Sequence, residues 1–299
     1  MAPERLSPSL ILFVGVCAVS TGAVFVRLAD ASPIVVAGYR TGLAFLMLAP
    51  FAWVKAGREL ASLSLSDFTL AALSGFFLAC HFAAWIASLD YTSIACSVVL
   101  VNTNPLWVAI LAPFITGETV GRVKAAGIGV SILGAVLIGA GDFCGGGTAL
   151  FGDALAVAGG MAMALYLLLG ARLRRKLSFL AYVTLCYGTA AAILWVAVLA
   201  AGLPFTGLTP HTYAAIFSLA FVSQLIGHSC YNWSLKWLST SMVAVSLLGE
   251  PVGGTILGYL VFGETLTIWK AAGGALILVG IYIASVSEKF VASPAPFEP

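Results

Sequence analysis

Apolar positions in this chain come in long unbroken runs, separated by short polar connections. Ten runs stand out, at roughly 9–28, 33–54, 67–89, 93–115, 124–141, 153–173, 179–201, 211–233, 240–262 and 268–287. Each is close to the ~20 residues that a helix needs to cross the hydrocarbon core of a bilayer. The runs are continuous and do not alternate every second residue over short segments, so the pattern predicts membrane helices and disfavours a β-barrel. The first run follows Arg5 much as a signal peptide would, but its length and the lack of a small-x-small step at its end make it a helix. The last residues, 292–299, hold three prolines and are expected to be disordered.

Composition sharpens this reading. Of 299 residues, 61% are hydrophobic and 9% charged, with a mean hydropathy of +1.06. A soluble domain carries roughly 25% charged residues to cover its exterior, so a soluble globule is excluded. Ten helices use roughly 200 residues, which leaves no space for an extramembrane catalytic domain. An intramembrane enzyme would need a nucleophile–base pair or a metal cluster. The three histidines, 81, 211 and 228, have no such spacing. The six cysteines, 17, 80, 96, 144, 186 and 230, form no CxxC step and read as small buried hydrophobes. No enzyme activity, metal or cofactor is expected, and no basic tract points to nucleic acid.

The few charges orient the chain. If the N-terminus is cytoplasmic, eleven of the fourteen Lys and Arg fall on the cytoplasmic side: Arg5, Lys55, Arg58, Arg122, Lys124, Arg172, Arg174, Arg175, Lys176, Lys236 and Lys289. Only Arg27 and Lys270 fall outside, and Arg40 lies within a helix. By the excess of basic residues in cytoplasmic loops, both ends are predicted to be cytoplasmic, in the inner (plasma) membrane of a cell.

An internal repeat organises the ten helices. Pro105 recurs as Pro251, Gly117-Glu118-Thr119 as Gly263-Glu264-Thr265, and Lys124 to Gly127 as Lys270 to Gly273, all at an offset of 146 residues. Ser93/Ser239, Ile110/Ile256, Leu111/Leu257 and Gly134/Gly280 follow at the same offset. Each half therefore has five helices, an odd number, so the second half enters the membrane from the opposite side. The predicted fold is an all-α integral membrane protein of ten transmembrane helices in two five-helix inverted-topology repeats, 1–144 and 145–291. Inverted repeats are common in secondary transporters, where a site between two similar halves opens to each face in turn.

The Asn-Pro and Glu-Pro steps in helices four and nine, with Phe262-Gly-Glu-Thr-Leu266 leading into the small-rich stretch Gly273–Gly280, resemble the EamA-type drug/metabolite transporter superfamily. Within it the chain looks most like bacterial exporters of amino acids, aromatic ones included. The resemblance implies a central cavity lined by helices one, three, four, six, eight and nine, and energy from a gradient instead of ATP. The absence of a GxxxxGK[ST] loop agrees with the second point.

Polar groups at membrane depth need a partner, a cavity or a route to the interface. Phe77, His81, Trp85 and Ser88 share a face of helix three, and their counterparts in helix eight are Ser223, Gly227, Tyr231 and Ser234, flanked by Gln224 and His228. Such aromatics also serve as interfacial belts or packing residues. As cavity wall they suit a flat, partly apolar solute, with the Asn102 amide beside them and Tyr166, Met161 and Met163 of helix six as further wall or equally as core packing. Asn104-Pro105 and Pro251, after Glu250, should kink helices four and nine beside the cavity or at a moving interface, because proline removes a backbone donor. For Glu250, a proton-coupling carboxyl, a partner for a substrate ammonium and a structural hydrogen bond are all open. Arg40 reads first as a residue that snorkels to the outer surface, and alternatively as a carboxylate receptor. The Gly38–Gly42 and Gly254–Gly258 steps read as close packing, and the small residues of helices five and ten as packing or a homodimer face. With little deep positive charge for a phosphate, the expected cargo is a neutral or zwitterionic metabolite, an amino acid, exported by alternating access with protons as a possible coupling ion. The alternatives are other metabolites or drugs, or a facilitative channel.

Overall fold

The computed structural model describes residues 7–92, 94–140, 149–263 and 265–287. Arg5, Ser93, Cys144, Glu264, Lys289 and the proline-rich tail lie outside the described residues, as does the side chain of Cys96. Among the described residues, nine helices are long and apolar enough to span a membrane: α1 (Pro8–Leu28), α2 (Pro33–Ala61), α3 (Leu65–Ser88), α4 (Ser97–Ile115), α6 (Ala149–Arg174), α7 (Phe179–Ala200), α8 (Pro210–Ser234), α9 (Thr240–Phe262) and α10 (Ile268–Val286). The tenth, α5 (Arg122–Ala140), has 19 residues. The apolar runs foretold every helix, with differences at their ends. Helix α2 continues past Pro50 and Gly57 through Lys55, Arg58 and Glu59 to Ala61, so its last turns carry charge beyond the apolar run.

Helix starts are fixed by hydroxyl caps. Ser64, Ser178, Thr209, Ser239 and Thr267 each accept a hydrogen bond from a backbone N–H in the first turn of α3, α7, α8, α9 and α10. Helices α4 and α9 end in the same way. Gly117 and Gly263, the glycines of the repeated Gly-Glu-Thr step, take positive φ of 73° and 67°, where a side chain would be strained. Each donates its N–H back to the helix, to Ala112 and Tyr259 respectively.

The two halves interlock with matching contacts. Helix α6 packs on α3 and α4, and its counterpart α1 packs on α8 and α9; α2 lies against its own counterpart α7. Helices α5 and α10 cross antiparallel: a Cβ on Gly134 would lie 2.5 Å from the Gly273 carbonyl, and one on Gly280 would lie 2.5 Å from that of Gly127. These are two pairs of repeat equivalents in reciprocal contact. Ser131 Oγ also donates to Ile277 O (3.2 Å) in this crossing. The glycines Gly127, Gly134, Gly273 and Gly280 are thus taken up in packing inside the chain, whereas Gly129, Ala125, Ala126, Ala271, Ala272 and Ala275 of the same helices are exposed. Gly38 and Gly42 pack under the Trp195 indole, as expected of close packing, but a Cβ on Gly254 would meet nothing within 4 Å.

At one face of the bundle, polar side chains stitch the halves together. Glu118 accepts hydrogen bonds from Thr240 N (2.9 Å) and Thr240 Oγ1 (3.1 Å) and lies 3.5 Å from Arg175. Lys124 donates to Ser239 (2.9 Å), Lys176 pairs with Asp67 (3.0 Å) and Ser178 N donates to Glu59 (2.7 Å). All these residues belong to the side that the basic-residue count makes cytoplasmic.

Candidate functional site

Four helices depart from regular geometry near the centre of the bundle, α1 among them at Thr21. Helix α4 leaves regular geometry at Asn102 and Thr103, one turn before the proline has settled into Asn104–Ile115, and α9 does so at Leu248, just before Gly249–Phe262. Both breaks sit immediately ahead of the Asn-Pro and Glu-Pro steps, as the missing proline donors require. Helix α8 adds a feature that periodicity did not foretell: Leu219–His228 is a π-helix. Such widened turns are uncommon and concentrate at functional sites.

Between these breaks lies a cavity lined by Val19, Arg40, His81, Phe82, Trp85, Val101, Asn102, Asn104, Met163, His228, Tyr231, Leu247 and Glu250. Its lining comes from α1, α2, α3, α4, α6, α8 and α9, so both halves contribute. The volume open to the centre of a water molecule is about 20 Å³. A single water needs roughly 10–15 Å³ by that measure, so the cavity is contracted and must widen to admit a solute.

His81 Nδ1 lies 3.0 Å from the Gly159 carbonyl. A carbonyl only accepts, so Nδ1 carries the proton, and in the neutral ring Nε2 is left as an acceptor. The His81 and Trp85 rings lie almost parallel, 7° apart with centroids at 6.2 Å. Arg40, read first as snorkelling, instead points inward and is 1% exposed. Its Nε donates to Gln224 Oε1 (2.8 Å) and its guanidinium carbon sits 4.0 Å from the centroid of Phe82. The physical reason is reach: on the seventh residue after Pro33, the side chain finds an amide and an aromatic face closer than the surface.

Several buried polar atoms around this cavity have no protein partner: Arg40 Nη2, Trp85 Nε1, Asn104 Oδ1, His228 Nδ1 and Tyr231 Oη. Half of all such atoms among the described residues are gathered on this one lining. Buried polar groups are normally satisfied, so these are the atoms left to bond water or a polar solute in the cavity.

Of the residues singled out from sequence, His81, Trp85, Asn102, Asn104, Tyr231 and Glu250 meet at the cavity. Gln224 stands behind it, fixing Arg40. Phe77 is one turn away, edge-on to Phe76 at 5.4 Å. Tyr166 is fully buried beneath the cavity, where its hydroxyl donates to Asn232 Oδ1 (2.9 Å), and Asn232 Nδ2 donates in turn to Tyr187 (3.2 Å). Pro105 and Pro251 are buried at the two helix breaks. Arg40, Met163, His228, Phe82, Val19, Val101 and Leu247 complete the lining; His228 was visible only as a flank of the α8 stripe, and Phe82 and the aliphatic residues gave no polar signal. Of the cysteines described, Cys186 is buried, Cys17 faces outward, and Cys80 and Cys230 are half-buried.

An apolar helical bundle with a polar cavity at depth, closed around by two similar halves, is the build of a multi-pass membrane transporter. The comparisons agree. The chain belongs to the EamA-like transporter family, whose model matches it twice, over residues 6–140 and 150–286. An uncharacterized transporter of Archaeoglobus fulgidus is 28% identical over 273 residues, 88% of this chain and 91% of that protein. A probable amino-acid metabolite efflux pump of Salmonella typhimurium is 36% identical over 72 residues, 24% of each chain. A protein of known crystal structure shares the fold, with a TM-score of 0.78 at 18% identity, over 95% of this chain and 99% of that one. The family is one of transporters, not enzymes.

Proposed function

We propose that this protein is a secondary exporter of small neutral or zwitterionic metabolites, amino acids including aromatic ones, working by alternating access between two inverted five-helix repeats, 1–144 and 145–291. One observation carries the reading: unpartnered donors and acceptors converge on a cavity built from both halves. The reciprocal Gly134–Gly273 and Gly127–Gly280 contacts support the inverted relation, since a two-fold axis in the membrane plane makes equivalent helices antiparallel where they meet. The basic residues support an inner (plasma) membrane with both ends cytoplasmic. The Salmonella relative named for amino-acid metabolite efflux supports the cargo over a quarter of the chain.

Proteoliposomes loaded with labelled phenylalanine or leucine test this. Saturable flux is the expected result. No carrier-mediated flux of aromatic or aliphatic amino acids would remove the cargo, and non-saturating flux with unitary conductance would make the protein a channel. The same vesicles with an imposed proton gradient decide whether protons drive the cycle.

A further inference from the structure

We infer that the cavity recognises the headgroup of its cargo, a carboxylate at Arg40 and an ammonium at Glu250, so that the pair of opposite charges and not the side chain admits a solute. The inference rests on the amino-acid reading above and assigns which groups do the choosing.

Arg40 is built as a receptor. Gln224 locks Nε and Phe82 supports the guanidinium plane, yet Nη2 is buried without a partner. A guanidinium held this way presents its remaining N–H groups in a fixed direction, which suits a planar carboxylate. Trp85 Nε1 and Tyr231 Oη are further unpartnered groups able to donate. Acceptors are gathered too: Glu250, the unpartnered Asn104 Oδ1 and the lone pair of His81 Nε2. An ammonium has three donors and no acceptor, so it is matched by this second set alone.

The charges also break the symmetry of the repeat. At the 146-residue offset, Arg40 corresponds to Cys186 and Glu250 to Asn104. Each half supplies one charge of opposite sign, with no charged counterpart across the pseudo-axis. A cargo with one positive and one negative end is therefore held in a single orientation. A lone cation or anion would satisfy one charge and leave the other desolvated, and a buried charge without its partner is unfavourable.

The test is competition against labelled phenylalanine uptake by the purified, reconstituted protein. The competitors are leucine, 2-phenylethylamine, which lacks the carboxylate, and 3-phenylpropionate, which lacks the ammonium. Leucine is expected to compete within a few-fold of phenylalanine, and each single-charge analogue at least tenfold more weakly. Arg40→Gln should bring 2-phenylethylamine within about threefold of phenylalanine, Arg40→Lys should keep most of the discrimination, and Glu250→Gln should do for 3-phenylpropionate what Arg40→Gln does for the amine. Ratios are read, so a lower yield of folded variant does not alter the outcome. If either analogue competes with wild type as well as phenylalanine does, headgroup recognition is overturned while amino-acid transport stands. It is equally overturned if Arg40→Gln leaves the ratio unchanged. Absence of any phenylalanine uptake by wild type overturns the cargo reading, and this inference with it.

Discussion

Two kinds of buried polar residue lie within a few ångströms of each other near the centre of the molecule, and they are expected to respond differently to substitution. Tyr166, Asn232 and Tyr187 satisfy one another; His81, Trp85 and Arg40 keep atoms open toward the cavity. A satisfied network contributes to stability, and a net hydrogen bond contributes about 1 kcal/mol. Tyr166→Phe should therefore lower the melting temperature by a few degrees and leave the KM for cargo within twofold of wild type. His81→Ala and Trp85→Ala should cut flux at least tenfold at unchanged membrane abundance, measured by immunoblot beside the transport assay. A large KM change in Tyr166→Phe, or full transport by both alanine variants, would reverse the division. Sequence distinguished these residues poorly for a physical reason. Both groups show the same polar residue on the same apolar background, and only the third dimension tells which has a neighbour to bond. Arg40 is the sharpest case: it is the single basic residue deep in a helix, so its importance was legible, but its direction was not.

Among the helices, the crossing of α5 and α10 depends on glycines that leave no space for a side chain. Gly134→Ala or Gly273→Ala forces a methyl to within 2.5 Å of a backbone carbonyl; neither backbone can retreat without separating the helices. Either change should lower the melting temperature and the yield of monodisperse protein on size exclusion. Gly129 and Gly254 are internal controls, since a Cβ at either position meets nothing within 4 Å. There Gly→Ala should be neutral or stabilising by up to about 1 kcal/mol, through lost freedom of the unfolded chain. Equal behaviour of the two sets in a melting assay would show that the crossing does not hold the halves together. The existence of all ten helices and the 146-residue repeat could be read from the chain, because apolar runs of bilayer length and matched Gly, Pro and Glu positions are one-dimensional signals. The π-helical stretch of α8 could not: Leu219–His228, which packs against α1 and α2, carries no proline or glycine pair to mark a change of pitch.

Over the whole molecule, the proposed alternating access requires that the two halves move, and a cavity of about 20 Å³ would have to widen to hold an amino acid. If the halves alternate as proposed, the stitched face is one that has to open. Glu118 of the first half caps the start of α9 in the second, and α9 carries Glu250 and the break at Leu248 into the cavity. Freeing that helix start therefore moves one wall of the site. A carboxylate at a helix N-terminus is favourable, by up to about 2 kcal/mol in a partly buried setting such as that of Glu118, a contact that the proposed cycle would have to open and re-form. The other contacts of this face, Lys124–Ser239, Lys176–Asp67 and Ser178–Glu59, also join first half to second, so opening means separating them together. Cysteines placed at 118 and 240, in a chain whose six native cysteines are replaced, should stop flux when joined by a short reducible cross-linker, and reductant should restore it. Labelling of a cavity cysteine at position 101 from the cytoplasmic side should fall on cross-linking. Flux that continues at full rate through cross-linked protein would show that this face stays closed during transport, and the halves would then have to exchange cargo by another route.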